Sequence, residues 1–201
     1  MENKASMTSL MSAFGRAYHN AHARDPIFRD TMVGELMTDA EYRAIGGYIL
    51  SGIDFFAPDK KGTFRDDDDA LLSAGYNPKK KTFFSWLGVS MYLDRTAIEH
   101  LLDEIAAHAP KGSSLVFDYA SAALFLSEDR RVQNMLAMAQ AGGEAMRSSF
   151  DPMSLERMAG DQGFLVYEHL MTADIQKRYF ANRDDDLSAF PCICFAHAVV
   201  Q

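Results

Sequence analysis

KTFFSWLGVSMYLDRTAIEHLLDEI, from Lys81 to Ile105, contains an apolar and aromatic run, a glycine, and then a helical pattern. The run TFFSWLG is continuous, as expected of a β-strand that is covered on both faces. Asp94 can cap the helix that follows, because its side chain can accept a hydrogen bond from the first helical turn. The core face of that helix carries Ile98, Leu101, Leu102 and Ile105.

The same alternation of strands and helices continues to the last residue. SSLVFDYA predicts a second strand ending near Asp118, GFLVYEHL a third, and AFPCICFAHAVV a fourth. Pro191 favours an edge position for the last strand or marks its start. Helical patterns separate these strands at residues 122–138, 151–160 and 172–180. This order predicts an open, mostly parallel α/β sheet whose ligands bind beyond the carboxyl ends of the strands, which places residues 87–92 at the crevice.

The first quarter of the chain is predicted to be helical. Residues 6–22 carry an apolar stripe that Pro26 interrupts, and Thr38 with Glu41 forms a capping box for a helix reaching about Phe56. The four aspartates that begin at Asp66 suit the start of a short helix. That helix would close at Gly75.

Composition limits the possible partners of the protein. The net charge of −8 argues against nucleic acid, since neutralising phosphates needs a basic surface. The apolar runs are far shorter than the roughly 18 residues of a membrane span. The first residues have no secretory signal pattern, so a cytoplasmic location is expected.

The two cysteines fit a reducing compartment. Cys192 and Cys194 alternate along the predicted last strand, which would place both on one face as buried thiols. No second Cys or His pair has the spacing of a zinc site, so no metal is expected.

Four blocks of this sequence resemble the C-terminal half of the leucine carboxyl methyltransferase-like family: FFSWLGVSMYLDRTAIEHLLDEIAAHAPKGSSLVFDYA, MRSSFDP, GFLVYEHLMTADIQKRYF and FAHAVV. SLMSAFGRAYHNAHARDPIFRDTMVGELMTDAEYRAI resembles the helical lid of the family. The family includes bacterial S-adenosylmethionine-dependent O-methyltransferases associated with polyketide biosynthesis. The resemblance implies a helical lid in residues 1–58 and a Rossmann-like class I methyltransferase sheet in residues 59–201.

The cofactor-binding signature of the family is missing from this sequence. Members carry a glycine-rich turn such as GAGLDT after the first strand and an acidic residue at the end of the second. GGYILSG, residues 46–52, lies in a helical pattern and cannot replace that turn. Only DKKGTFR joins the lid to the helix at Asp66, and one βαβ unit takes roughly 30 residues. The sheet is therefore predicted to be truncated, with its first strands absent.

The resemblance suggests Leu87, Gly88, Tyr92 and Arg16 as site residues, and the end of the second strand adds Asp118; all but Leu87 have a plainer alternative. Leu87 stands where many relatives have Glu near the cofactor and could make only an apolar contact. Gly88 would allow close approach of the cofactor or serve as an ordinary turn glycine. Tyr92 could face substrate or pack as an aromatic side chain, and Asp118 could contact substrate in the crevice or cap a helix. Arg16 could pair with a carboxylate of cofactor or substrate, or form a surface salt bridge.

Two functions compete at this point. Family resemblance implies S-adenosylmethionine-dependent O-methylation of a small-molecule hydroxyl or carboxyl, with no residue nominated as catalytic because the six histidines follow no motif. The alternative is a non-catalytic remnant that acts as an interaction module, in which a homo-oligomer covers the truncated sheet edge. A third interpretation is that the missing segment was removed from a parent sequence.

Overall fold

The structure is a computed structural model, and it describes residues 7–22, 29, 30, 32, 37–51 and 76–201. The chain divides into two compact units. The first comprises Met1–Thr63 and Ala141–Gly143, and the second comprises Phe64–Gln140 and Glu144–Gln201. The helix predicted between Asp66 and Gly75, the junction DKKGTFR and Pro26 lie outside the described residues, so the domain boundary at residue 58 stays a prediction.

The first unit contains two helices, α1 at Met7–His22 and α2 at Asp39–Ser51. Phe14 of α1 is buried and its ring centroid lies 4.9 Å from that of Tyr42 in α2. The capping box is confirmed, because the Thr38 N–H donates to Glu41 Oε2 at 2.7 Å and the Glu41 N–H donates to Thr38 Oγ1 at 3.2 Å. A Cβ on Gly46 would lie 2.8 Å from the Phe14 ring, so glycine permits this close packing.

The second unit is built on a four-stranded sheet. Its strands are β1 at Phe83–Trp86, β2 at Ser114–Ala120, β3 at Phe164–Leu170 and β4 at Ile193–Val200. The spatial order is β1-β2-β4-β3, with β1 parallel to β2 and β4 antiparallel to both of its neighbours. Strands β1, β2 and β3 therefore run in one direction and β4 in the other. The predicted α/β class is confirmed, but the described sheet is mixed, with one parallel and two antiparallel pairings, because β4 lies between β2 and β3.

Three longer helices and one short one connect these strands: α3 at Arg95–His108, α4 at Arg130–Ala141, α5 at Pro152–Asp161 and α6 at Thr172–Ile175, which continues as a π-helical turn at Gln176–Phe180. The predicted cap of α3 is confirmed, since Asp94 Oδ1 accepts from the Ala97 N–H at 2.9 Å. Asp151 caps α5 in the same way through the Ser154 N–H at 3.0 Å.

The single helix predicted for residues 122–138 is wrong. A short 3-10 turn at Leu124–Leu126 comes first, and Ser127 then takes an extended conformation with ψ near 131°. The Ser127 hydroxyl accepts from the Asp129 N–H at 3.3 Å, and α4 begins only at Arg130. Serine and aspartate side chains compete with helical hydrogen bonds in this way, which divides the predicted helix.

The main core lies on one face of the sheet, which we call the helix-covered face. Its β2 and β4 side chains are completely or almost completely buried against α3 and α5: Leu115, Phe117, Tyr119, Cys194, Ala196, Ala198 and Val200 from the strands, Ile98 and Leu102 from α3, and Leu155, Met158 and Ala159 from α5. A smaller core cluster near the carboxyl ends of β1 and β2 contains Met91, Ala120, Leu124, Val132, Ala139 and Met146.

The opposite side, which we call the open face, is less completely covered. By strand register it carries Phe83, Ser114, Val116, His197, Val199 and Leu165. Phe83 is 67% exposed and Leu165 is 55% exposed, whereas the side chains of the two central strands are half-buried. The expectation that β1 is covered on both faces is therefore wrong. Only Phe84 and Trp86 of this edge strand pack against the main core.

Two expectations about the last strand also need correction. Strand β4 is interior, so the edge alternative for Pro191 is wrong, and the proline instead precedes the strand. Cys194 is buried in the main core, whereas Cys192 precedes β4 with φ 62° and packs against the smaller cluster. Both thiols are free, but they do not share one face.

Among the described helices, none combines the length and the apolar character that crossing a bilayer requires.

Candidate functional site

The candidate site is the crevice at the carboxyl ends of β1 and β2. Parallel pairing sets Trp86 beside Phe117, so the residues that follow each of them meet at the edge of the sheet. There the Gly88 N–H donates a hydrogen bond of 2.7 Å to Asp118 Oδ1. This contact joins two residues that the sequence analysis assigned to the same crevice.

Gly88 is required by its backbone conformation. Residues other than glycine rarely adopt its φ of 75°, and this conformation turns the chain out of β1. Chain neighbours aside, no atom of the described residues lies within 4 Å of a Cβ placed at this position. The turn-glycine interpretation thus has a structural reason, and the described part of the chain leaves the space beside Gly88 open.

Asp118 is a carboxylate held inside the crevice. It is only 9% exposed, and this burial raises the pKa of its carboxyl above the ordinary value. The hydrogen bond from the Gly88 N–H acts in the opposite direction and favours the charged form. The helix-cap alternative is wrong, because Asp118 lies within β2 rather than before a helix.

Tyr92 is half-buried in the 3-10 turn at Ser90–Tyr92 and packs against the smaller core cluster. Burial raises the pKa of its hydroxyl, and the charges of Glu144 and Asp118 raise that pKa further. The hydroxyl therefore stays protonated at neutral pH and can donate a hydrogen bond. The packed-aromatic interpretation is supported by these contacts, while contact with a substrate stays a prediction.

Leu87 and Arg16 have simpler surroundings. Leu87 follows β1 and is 50% exposed at the mouth of the crevice, so it offers an apolar surface. Arg16 belongs to the first unit, where its Nε lies 3.6 Å from Asp30 Oδ2 and half of the side chain is exposed. This geometry matches the salt-bridge alternative, and a cofactor contact for either residue stays a prediction.

A buried polar network that the sequence analysis did not identify lies on the helix-covered face. The Tyr119 hydroxyl and His169 Nδ1 are 3.0 Å apart, and burial strongly raises the pKa of that hydroxyl. His169 Nε2 lies 3.3 Å from Glu156 Oε1, but the two atoms lack the geometry of a hydrogen bond. The network links β2, β3 and α5. Because its members are far apart in sequence and follow no motif, only the fold brings them together.

Comparisons with known proteins agree with the resemblance that the sequence predicts. A family model described as leucine carboxyl methyltransferase matches residues 63–106. The Bacillus subtilis (strain 168) protein YktD, whose name places it with the S-adenosyl-L-methionine-dependent methyltransferases, is 45% identical over 133 residues. That match covers 65% of this chain and 43% of YktD, so this chain spans less than half the length of that relative.

Solved structures that match part of this chain have low sequence identity and low TM-scores. A DUF574 family protein from Streptomyces avermitilis MA-4680 is 15% identical, with a TM-score of 0.45 over 67% of this chain and 52% of its own. Magnesium protoporphyrin IX methyltransferase from Synechocystis PCC 6803, solved with bound S-adenosylhomocysteine, is 15% identical. Its TM-score is 0.38 over 81% of this chain and 58% of its own.

Proposed function

We propose that this chain, a relative of the leucine carboxyl methyltransferases, binds S-adenosylmethionine in the crevice and transfers its methyl group to an oxygen of a small acceptor. The observation that carries the proposal is the buried Asp118 carboxylate, held by the Gly88 N–H at the ends of two parallel strands. Open α/β sheets bind their ligands at this edge. The identity with YktD supports the choice of methyl donor.

The described crevice suits the charge of this donor. The sulfonium of S-adenosylmethionine is a cation, and Asp118 and Glu144 both lie close enough to Tyr92 to raise the pKa of its hydroxyl. An aromatic ring beside carboxylates is a favourable environment for a cation. The missing glycine-rich turn removes main-chain contacts, so we expect weaker donor binding than a complete family member would have.

The residues of the crevice would act by positioning. When bound, the donor would supply an activated methyl group, which would pass from the donor sulfur to the acceptor oxygen while that oxygen loses its proton. Tyr92 stays protonated, so it can orient a ligand by donating a hydrogen bond but cannot take a proton. The Asp118 carboxylate near Tyr92, whose pKa is raised by burial, is better suited to accept the proton of the acceptor.

Calorimetric titration with S-adenosylmethionine tests the proposal. We expect saturable binding by the wild-type protein and at least about tenfold weaker binding by Asp118→Asn, which removes the charge of one crevice carboxylate. Asp103→Asn is the matched control, because Asp103 is exposed on the middle of α3, and it should bind as the wild type does. Equal affinity of all three proteins would contradict the assignment of the crevice.

The second candidate function is an interaction module, favoured by the exposed edge strand β1. Phe83 is 67% exposed and Leu87 is 50% exposed, which is unusual for large apolar side chains next to a sheet edge. A second copy could pair its own β1 antiparallel to this strand, since such an edge is self-complementary. A dimer by sedimentation that Phe83→Lys dissociates would support this function, and a monomeric wild type would contradict it.

The same proposal places the protein in the cytoplasm. The reducing conditions of that compartment would keep Cys192 and Cys194 as the free thiols described above.

A further inference from the structure

The turn that carries Gly88 and Tyr92 is held by two buried serines from different parts of the chain. Ser90 is 1% exposed and Ser148 is 7% exposed. The Ser90 hydroxyl donates to the main-chain carbonyl of Asp118, and the Ser148 hydroxyl donates to the carbonyl of Ser90 at 3.0 Å. The two hydroxyls therefore form a chain of hydrogen bonds from the segment around residue 148 to the end of β2.

Main-chain contacts strengthen the same connection. The N–H groups of Arg147 and Ser148 both donate to the Met91 carbonyl, at 2.7 and 3.2 Å. The Phe150 N–H donates to the Ala120 carbonyl at 2.8 Å, which ties this segment to β2 as well. Residues 147–150 thus bridge the end of β2 and the turn after β1.

We propose that Ser90 and Ser148 are positioning residues, which set the crevice turn so that Tyr92 and Asp118 can engage the methyl donor. The inference rests on the proposed function. Both hydroxyls are too deeply buried to contact a ligand themselves, and both are directed at main-chain carbonyls of the residues that form the crevice. Burying a hydroxyl without a hydrogen bond destabilises the folded state. Each serine hydroxyl therefore stays directed at its carbonyl partner.

The fold does not depend on the Ser148 hydroxyl alone. The Ser90 carbonyl also accepts from the Leu93 N–H at 3.2 Å, so it keeps one partner when the Ser148 hydroxyl is removed. The main-chain bonds from Arg147 and Ser148 to Met91 would also remain. Ser148→Ala should therefore fold but leave the turn less firmly held.

A matched control exists at the other end of β2. Ser113 is 1% exposed, and its hydroxyl accepts from the Thr82 N–H at 3.1 Å, at the amino end of β1. Ser113→Ala removes another buried hydroxyl, as exposed as that of Ser90 and slightly less exposed than that of Ser148, which joins the same two strands far from the crevice. A merely structural role would make Ser148→Ala and Ser113→Ala behave alike.

The experiment measures two quantities for each protein: the affinity for S-adenosylhomocysteine, by calorimetry, and the midpoint of urea unfolding. We expect Ser148→Ala and Ser90→Ala to bind at least about fivefold more weakly, which corresponds to about 1 kcal/mol. Ser148→Thr, which keeps the hydroxyl, should restore affinity to within about twofold, and Ser113→Ala should lower the unfolding midpoint without changing affinity. If Ser148→Ala does not fold, Ser148→Cys replaces it, since a thiol is only a weak donor.

The failures of the two proposals are distinguishable. Unchanged affinity of the Ser148 and Ser90 variants beside a wild type that binds would overturn the positioning role alone. Absence of binding by a folded wild-type protein would overturn the proposed function and the positioning role with it.

Discussion

The helix-covered face and the open face of the sheet both carry large apolar side chains from the same strands, but the surroundings of those side chains differ. Phe117 points into the main core and is fully buried, whereas Phe83, on the neighbouring strand and the opposite face, is 67% exposed. The difference follows from α3 and α5, which both pack on one side. Alternation along a strand therefore predicts two faces, but only the helices decide which of them becomes a core.

The open face is covered again where the candidate site lies. Asp118 and Ala120 share the side of β2 that carries Val116, yet they are 9% and 1% exposed because the smaller core cluster packs there. The crevice thus lies at the place where a half-buried face passes into a buried one. A carboxylate can be both shielded and reachable at such a boundary.

The largest expected effect is the difference in stability loss between two phenylalanine substitutions, one on each face of the sheet. Phe117→Ala should destabilise the protein by about 3–5 kcal/mol, because it leaves a cavity in the main core. Phe83→Ala should stay within about 0.5 kcal/mol of the wild type, since the side chain is mostly in water. Urea unfolding measures both, and similar losses would mean that the open face is covered in solution.

The next prediction concerns the boundary between the faces. Gly88→Ala should cost about 1–2 kcal/mol, because a Cβ opposes the positive φ. Gly143→Ala is the matched control, with φ 76° and equally open space, and should cost a similar amount. Only Gly88→Ala should weaken S-adenosylhomocysteine binding in a titration. A loss of affinity in both variants would show that strain anywhere, rather than at the crevice, disturbs the site.

The helix-covered face also depends on the caps that start its helices. Asp94→Ala should cost about 1 kcal/mol in thermal or urea unfolding, because the Ala97 N–H at the start of α3 loses its partner. Asp103→Ala, at an exposed position of the same helix, should change stability by less than about 0.5 kcal/mol. If both variants lost the same stability, α3 would not depend on its cap.

The smallest expected effect is the pH dependence of Asp118. Burial raises its folded-state pKa above the unfolded value, so the folded protein binds this proton more tightly than the unfolded chain. Its contribution to stability is therefore most favourable at low pH and is lost as pH rises through the raised pKa. The stability of Asp118→Asn relative to wild type should increase across that range by up to about 0.5 kcal/mol. Urea unfolding between pH 4 and pH 7 measures the difference, and the opposite slope would contradict the shielded carboxylate.

Much of the fold could be predicted from sequence because its signals are local. The capping box at Thr38, the cap at Asp94 and the apolar run of β1 depend only on neighbouring residues, and all three led to correctly placed elements. The exposure of Phe83 could not be predicted, because it depends on which elements pack on the open face. The division of the helix predicted for residues 122–138 could not be predicted for a different reason, since it depends on a single side-chain hydrogen bond of Ser127.

The candidate site was predictable only in part. The rule that ligands bind at the carboxyl ends of strands placed Gly88 and Asp118 in one crevice, and the structure joins them by a hydrogen bond. The helix-cap alternative for Asp118 arose because the end of a strand cannot be located to one residue from sequence. Ser90 and Ser148 were not identified, since their hydroxyl contacts span 28 and 58 positions of the chain and follow no motif.

Amide hydrogen exchange with and without S-adenosylhomocysteine tests most directly whether the boundary between the two faces is the donor site. We expect slower exchange in peptides covering residues 87–92 and 118–121, and unchanged exchange in the amino-terminal halves of β2 and β3. Slower exchange confined to other segments, or no change at saturating ligand, would contradict the assignment of the crevice.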